Sequence, residues 1–220
     1  MGLPSGWAEE LRRLLLEGEP VPASWAALVP ELRLERAPLT TAAGIACLTG
    51  LTRLSLKLTR VSDVFPLAGL TGLRSLILSL TPVADVTPLA ALVGLESLYL
   101  TGTPVWDLSP LGGLTRLERL DLGGTEVTDL SAVAGMTRLR SLELSTTRVA
   151  DLRPLAGLTM LEFLDLGDTR VADASPLAAM TVLRRIDTRG SAIADLSMLP
   201  PGCEIVSASS YRRMRRAGRT

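Results

Sequence analysis

Four acidic residues stand at equal intervals in the second half of the sequence and are its first candidates for chemistry. They are separated by 22 residues each, and each follows a leucine or isoleucine: Asp121, Glu143, Asp165 and Asp187. Grouped carboxylates can serve as an acid and a base, hold a divalent cation or bind a basic partner. A second set of aspartates has the same interval: Asp63, Asp85, Asp107, Asp129, Asp151, Asp173 and Asp195. One set has to belong to the scaffold, and the other is free to act.

The composition excludes most catalytic chemistry. The 220 residues include no histidine, which removes the commonest general base and the commonest metal ligand. Cys47 and Cys203 lie far apart, and neither belongs to a CxxC pair, so structural zinc is not expected. No glycine-rich phosphate loop is present. We therefore predict no catalytic residues, no cofactor and no metal.

Charge and hydropathy constrain partners and location. The 23 basic and 23 acidic residues give zero net charge, which argues against a general affinity for nucleic acid or an anionic membrane. No signal-peptide pattern opens the sequence, and no apolar run reaches the length of a membrane span. Lys57 is the only lysine, which is typical of a GC-rich bacterial genome. These features predict a cytoplasmic, monomeric protein.

A repeat of 22 residues runs from Leu48 to Pro201 in seven units. Each unit has the form LxxLxLxxTxV, and the L-x-L core has the period of a β-strand with its leucines on one side. Strands that recur at a fixed interval pair in parallel with their copies. No unit can bury its leucines alone, so stacking has to create the core.

These repeats resemble leucine-rich repeats of the short, 22-residue class found in internalins and in a regulator of protein phosphatase 1. The resemblance is strong over residues 48–201 and weaker over 26–47, where the aspartate is missing. One departure is that threonine replaces the usual asparagine, as at Thr125; its hydroxyl is expected to bond backbone groups of the same and neighbouring coils. The resemblance implies an α/β solenoid with a parallel sheet on its concave face and short helical or 3₁₀ turns on its convex face.

The second half of each unit identifies the scaffold aspartates. Asp129 and its six equivalents occur in every unit, and in five of the seven the aspartate begins a D-x-x-P-L segment. A site is built once, so a residue present in all coils is expected to bond backbone N–H groups where each convex turn begins. Thr87, Ser109 and Ser175 are expected to be N-caps that precede a first-turn proline.

The ends of the stack need caps, because an open stack would expose leucines. Trp7, Leu11, Leu14 and Leu15 fall on one face of a helix predicted to begin near Ser5 and to end at Gly18. The predicted division is a helical cap (1–25), a degenerate repeat (26–47), seven repeats (48–201), a capping strand (202–210) and a basic flexible tail (211–220). That tail, with five arginines, is within reach of the acidic residues at the end of the stack.

The residue between the two strand leucines is predicted to face the concave surface. This column reads Ser55, Ile77, Tyr99, Asp121, Glu143, Asp165, Asp187. It varies from coil to coil, so the fold does not dictate it. We call its last four members the acidic ladder; at a strand spacing of about 4.8 Å, neighbouring carboxylates repel each other modestly. Arg119, Arg140, Arg184, Arg185 and Arg189 are expected to offset part of that repulsion.

Two interpretations of this face remain open. The acidic ladder is either a solvated surface that prevents unwanted pairing or a docking strip for a basic or polar segment. Ile77, Tyr99 and Phe163 add apolar side chains. For the neighbouring Leu58 and Leu80, the alternative to an exposed apolar surface is that the N-terminal segment folds over them. The residues predicted to contact a partner are Ile77, Tyr99, Arg119, Asp121, Glu143, Phe163, Asp165, Arg185, Asp187 and Arg189.

Three functions follow as alternatives. The favoured one is a non-enzymatic scaffold that binds a protein or peptide on its concave face, as the resemblance implies. The second is a regulatory subunit that changes the rate of a partner enzyme such as a phosphatase. The third, an enzyme that uses the carboxylates of the acidic ladder, is opposed by the open face and by the lack of a nucleophile with a nearby base.

Overall fold

The computed structural model describes residues 3–207. Within them one α-helix, α1 (Trp7–Glu17), precedes a parallel sheet whose strands follow one another in chain order. The strands are β1 Glu31–Arg33, β2 Arg53–Ser55, β3 Ser75–Ile77, β4 Ser97–Tyr99, β5 Arg119–Asp121, β6 Ser141–Glu143, β7 Phe163–Asp165, β8 Arg185–Asp187 and β9 Glu204–Val206. The solenoid predicted from the repeat is confirmed.

The register of the sheet follows directly from the 22-residue interval. Leu98 of β4 pairs with Leu120 of β5, and Leu120 pairs with Leu142 of β6. These leucines are at most 1% exposed, and they continue as one core through the stack. Each coil completes the burial of its leucines against the coils above and below it, so columns of equivalent apolar residues run through the stack.

Short 3₁₀ turns form the opposite, convex face. They are Ala23–Trp25, Ala43–Ile45, Phe65–Leu67, Thr87–Ala91, Ser109–Gly113, Ser131–Gly135, Arg153–Leu155 and Ser175–Ala179. Burial of one apolar residue per turn, such as Leu111 or Val133, fixes this face to the core. The proline of most turns occupies the second position, where its missing N–H costs nothing.

The scaffold role of the repeated aspartates is confirmed. In all seven units the aspartate Oδ1 accepts the backbone N–H of the residue two positions later, at 2.8–2.9 Å. The prediction that Thr87, Ser109 and Ser175 are N-caps is wrong. They are the first residues of their turns, and their own N–H groups are the ones that the aspartates bind.

The threonine column stabilises each coil from within. Thr125 Oγ1, for example, donates to the carbonyl of Leu122 at 2.6 Å, and the same bond recurs in the other coils. These hydroxyls bond only to their own coil, so the expected bonds to neighbouring coils are not formed within residues 3–207. The hydroxyl therefore satisfies a buried carbonyl at the end of each strand.

The N-terminal helix closes one end of the core. Leu11, Leu14 and Leu15 of α1 are buried, and Gly18 ends the helix in a left-handed conformation (φ 71°), with its N–H bonded to the Leu14 carbonyl. At the other end β9 pairs with β8. The predicted tail, 211–220, lies outside the described residues.

A left-handed residue follows each of the strands β1 to β8. Its φ is between 53° and 74° at eight successive positions: Arg36, Leu58, Leu80, Gly102, Gly124, Thr146, Asp168 and Gly190. The return of the chain away from the sheet requires this conformation. Residues with a Cβ atom are strained in the left-handed conformation, and β-branched residues such as threonine are strained most.

Thr146→Gly should therefore raise the free energy of unfolding by about 1 kcal/mol, because glycine adopts φ 59° without a Cβ clash. The Thr146 side chain is exposed, so little packing is lost. Urea unfolding followed by circular dichroism measures the change. Thr128→Gly is the control: its φ is not positive, and it should lose about 0.5 kcal/mol to backbone entropy. No gain at Thr146 would contradict the assignment of strain.

Candidate partner-binding face

The four side chains of the acidic ladder lie side by side on the face of the sheet that points away from the core. The register pairs Asp121 with Glu143, Glu143 with Asp165, and Asp165 with Asp187. Their neighbouring leucines point into the core, so the carboxylates project toward the concave surface. The geometric half of the sequence prediction is therefore met, while the binding role of these residues stays a prediction.

Three members of the acidic ladder are held by donors of this chain. Asp121 accepts the Gly123 N–H at 2.9 Å and the Thr101 hydroxyl at 2.5 Å. Asp165 accepts the N–H of Gly167 at 2.8 Å. An aspartate side chain is short enough to bond the backbone two residues later, and this turn satisfies its charge locally.

Asp187 is the most enclosed member. It is 4% exposed, and it accepts both the N–H of Arg189, at 3.0 Å, and its guanidinium, with Nη2 at 2.6 Å. Burial of that carboxylate is tolerable because the ion pair and the backbone donor replace its water. Asp187 is therefore committed to a partner within its own coil and offers little surface to another molecule.

Glu143 is the exception within the acidic ladder. In residues 3–207 its carboxylate receives no hydrogen bond and no ion pair. Its longer side chain does not close the local turn that the aspartates form. Burial raises the pKa of Glu143, and the charges of Asp121 and Asp165 raise it further. This half-buried anion is the group of the acidic ladder most in need of an outside donor.

The arginines near the acidic ladder pair mostly with other acids, which corrects the expectation from sequence. Among the arginines of residues 3–207, only Arg189 contacts the acidic ladder, through Asp187. Arg140 and Arg184 both bind Glu162, at 2.6 Å and 3.1 Å. The other two have different partners: Arg119 Nη1 donates to Ser97 Oγ at 3.1 Å, and Arg185 lies 3.9 Å from Glu204. No cation of the described part of the chain pairs with the centre of the acidic ladder.

The first positions of the strands form a second concave column beside the acidic ladder. Arg119, Phe163 and Arg185 occupy it, next to Asp121, Asp165 and Asp187 along the chain. Phe163 is half-buried and the two arginines are exposed. All three predicted site residues of this column therefore lie on the same surface as the acidic ladder.

Two neighbouring strands in the N-terminal half of the concave surface carry apolar side chains. Ile77 pairs with Tyr99, and Tyr99 pairs with Asp121, so the apolar side chains lead directly into the acidic ladder. Leu58 and Leu80 are 38% and 48% exposed. The expectation that the N-terminal segment covers these leucines is wrong for the described residues, and both extend the accessible apolar surface.

A depression beside Ile77 was not predicted from the sequence. It has a volume of about 200 Å³, and it is lined by Ser75 and Ile77 together with residues of β1 and β2. Glu31 bridges Arg33 and Arg53 at its edge, with Arg53 Nε 2.9 Å from Glu31. The first repeat departs from the consensus, so these residues are difficult to recognise from the sequence. The register that places Glu31 beside Arg53 nevertheless follows from the same 22-residue interval.

Glu143→Gln should stabilise the protein at neutral pH. Because its raised pKa means that the folded chain holds the Glu143 proton more tightly than the unfolded chain, stability falls as pH rises from the ordinary glutamate value to the raised one. Glutamine removes that loss, of which the repulsion by Asp121 and Asp165 is a part, for a gain of about 0.5–1 kcal/mol in dilute salt. Below about pH 4 both chains are uncharged here, so the gain should vanish.

Urea unfolding at a series of pH values measures this difference. Glu126→Gln, an exposed acid outside the acidic ladder, is the matched control and should show no gain. Added salt should shrink the Glu143 effect. A difference that stayed constant from acid to neutral pH would contradict the electrostatic cause.

Other kinds of site have less support within the described residues. No group of three or more histidine, cysteine, aspartate or glutamate side chains in residues 3–207 is arranged to hold a metal ion. Over the same range, no helix has both the length and the apolar character needed to cross a bilayer.

Comparison with solved structures finds close similarity to bacterial repeat proteins. The chain superposes on internalin C2 of Listeria monocytogenes with a TM-score of 0.82 and 31% identity, covering 91% of each chain. An internalin of the same species, InlF, superposes with a TM-score of 0.81 and 29% sequence identity, covering 92% of this chain and 63% of that one.

A leucine-rich repeat protein of Leptospira interrogans gives a TM-score of 0.77 and 22% identity, covering 84% of this chain and 51% of that one, a likeness of fold alone. The chain thus spans less than two thirds of the InlF and Leptospira structures. No protein-family model matches the sequence, and no curated protein does.

Proposed function

Since this chain belongs to the leucine-rich repeat proteins of the short-repeat, internalin class, we propose that it is a non-enzymatic scaffold that binds a protein or peptide on its concave face. Proteins with this fold commonly mediate protein–protein interaction. The proposed contact surface runs from Ile77 and Tyr99 to the acidic ladder. Its partner would present an apolar side chain followed, two to three coils further along, by a basic one.

The observation that carries this proposal is the carboxylate of Glu143, which has no partner within residues 3–207. A half-buried anion between two other anions is unfavourable for the free protein. An arginine or lysine brought by a partner would relieve that cost and form a charge-assisted hydrogen bond. Tyr99 lies two coils away on the same column and offers an aromatic side chain, the type most often found at binding hot spots.

A catalytic role for the acidic ladder has less support. Asp121, Asp165 and Asp187 use their carboxylate oxygens to bind groups of their own chain. The concave face is open, and general acid–base chemistry benefits from a site that excludes water. Cytoplasmic location and a monomeric state remain predictions from the sequence.

Affinity capture from the native host with the intact chain, followed by mass spectrometry, should identify the partner. Calorimetry with the purified partner should then show Glu143→Lys and Tyr99→Ala each weakening binding at least tenfold. Glu9→Lys makes the same charge change on exposed α1 and should leave the affinity unchanged.

The outcomes separate the alternatives. If all three variants bound the partner with the affinity of the parent chain, the concave face would be excluded as the binding surface. A partner that is a folded enzyme whose rate changes on binding would select the regulatory-subunit alternative instead.

A further inference from the structure

A single tryptophan projects from the side of the solenoid opposite the concave sheet. Trp106 is 66% exposed, next to the aspartate that begins the convex turn. The equivalent positions of the other coils hold only small residues: Ser62, Ala84, Thr128, Ala150, Ala172 and Ala194. The scaffold does not need an aromatic side chain at this position, and exposure of so large an apolar group is costly unless something covers it.

Surface depressions flank the Trp106 side chain on both sides. One, of about 350 Å³, is lined by Trp106 together with Thr128 and Ser131 of the next coil. The other, of about 280 Å³, is lined by Trp106 with Thr87 of the preceding coil. The indole therefore stands as a ridge between two grooves, and both of its faces are accessible to a ligand.

The charged side chains of residues 3–207 that line the grooves are all acidic. Asp107 lines both, Asp85 lines one and Asp129 lines the other. Hydrogen bonds from Thr87 and Ser131 lower the pKa of Asp85 and Asp129, which keeps these carboxylates ionised at neutral pH. No basic residue between positions 3 and 207 lines either groove, and the sequence contains none between Arg74 and Arg116.

We propose that Trp106 and its flanking aspartates form a second docking surface, which binds an arginine-bearing segment of a partner protein. A guanidinium stacks on the face of an indole by cation–π attraction, and its N–H groups reach carboxylates beside the ring. Asp107 accepts the Ser109 N–H at Oδ1, at 2.8 Å, and the Ser109 hydroxyl at Oδ2, at 3.0 Å. Each carboxylate oxygen has a second lone pair and the group keeps its negative charge, so it can still accept from a guanidinium. This surface is separate from the concave face, and its failure would leave the proposed function intact.

A ten-residue (Gly-Arg) repeat peptide is the probe, with a (Gly-Glu) repeat of the same length as its charge-reversed counterpart. The indole N–H resonances of the isotopically labelled full chain report on Trp7, Trp25 and Trp106 separately, assigned with Trp106→Ala. The Trp106 resonance should shift saturably with the arginine peptide only, and the other two should stay in place. A shift of comparable size with the glutamate peptide, or none with either, would overturn the proposal.

Asp107→Asn tests the charge without removing the turn, since the asparagine oxygen can still accept the Ser109 N–H. It should weaken the arginine peptide about threefold, and Trp106→Ala about fivefold, by calorimetry. Asp173→Asn is the matched control, because it has the same turn bond and the same charge change far from Trp106. If Asp107→Asn and Asp173→Asn weakened the affinity for the arginine peptide equally, the effect would come from the net charge of the protein, and the proposal would be overturned.

Two further outcomes would also overturn it. Arginine-peptide shifts confined to the backbone amides around Glu143 would place binding on the acidic ladder alone. A Trp106 resonance that moved on dilution of the protein without peptide would show that a second copy of this chain covers the indole.

Discussion

Leu142→Ala should lower the free energy of unfolding by about 3 kcal/mol, within the 2–5 kcal/mol typical of a buried leucine. The Leu142 side chain is fully buried in the centre of β6, where the coils on both sides pack against it. Neither neighbouring coil can move into the space without breaking the sheet register. Urea unfolding monitored by circular dichroism gives the change, with an unaltered denaturant slope as the sign that the unfolding unit is the same.

Glu143→Ala is the matched control for this prediction, because the adjacent residue lies on the other side of the same strand. It removes no core contact and relieves the repulsion of Asp121 and Asp165, so the free energy of unfolding should rise by up to about 1 kcal/mol. A Leu142→Ala loss no larger than the effect at Glu143 would contradict the assignment of the two faces.

Gly50→Ala should lower the free energy of unfolding by about 1–3 kcal/mol, the usual cost of overpacking. A Cβ at Gly50 would lie 2.4 Å from the carbonyl oxygen of Ala27 and 2.6 Å from its carbonyl carbon. These are backbone atoms, which cannot rotate away as a side chain can. Gly50 also donates its N–H to the Ala26 carbonyl at 2.8 Å, so the new methyl group would force the first coil away from the second.

Gly72→Ala provides the control one coil further along. Its nearest neighbour would be the Leu51 carbonyl oxygen at 3.4 Å, an ordinary contact, and the column holds Arg116, Arg138 and Met160 in later coils. The stability of Gly72→Ala should therefore stay within about 0.5 kcal/mol of the parent. Thermal and urea unfolding of the two variants measure the difference. Equal losses would mean that glycine is needed throughout the column rather than at the junction with the N-terminal cap.

The two proposed surfaces share a physical logic. A repeat protein reveals its variable positions by comparison of its own coils, because the scaffold demands the same residue at each level. Glu143 departs from the aspartates beside it, and Trp106 departs from the small residues of its column. Each departure leaves a group without a partner in the described chain or a large apolar side chain in water.

Much of the fold could be predicted because the repeat states it seven times. The pairing of Asp121 with Glu143, the buried leucine columns and the turn bonds of Asp129 and its equivalents all follow from one interval. The prediction of the N-caps failed because two residues near the start of each convex turn have side chains able to bond a backbone N–H. Ser109 looked like an N-cap, but Asp107, two residues earlier, holds the N–H that begins the turn.

By itself the sequence determined the solenoid, its register and the identity of the concave column, since these depend on periodicity and on the need to bury leucines. Only the tertiary structure decided which acidic side chains already have hydrogen-bond or ion-pair partners. Arg140 pairs with Glu162 and Arg189 with Asp187, and Asp165 accepts a backbone N–H in a local turn that Glu143 does not form. The tertiary structure also decided that Leu80 stays uncovered and that Trp106 stands between two grooves. Such outcomes depend on side-chain length, direction and competition between neighbouring coils, which a linear pattern does not contain.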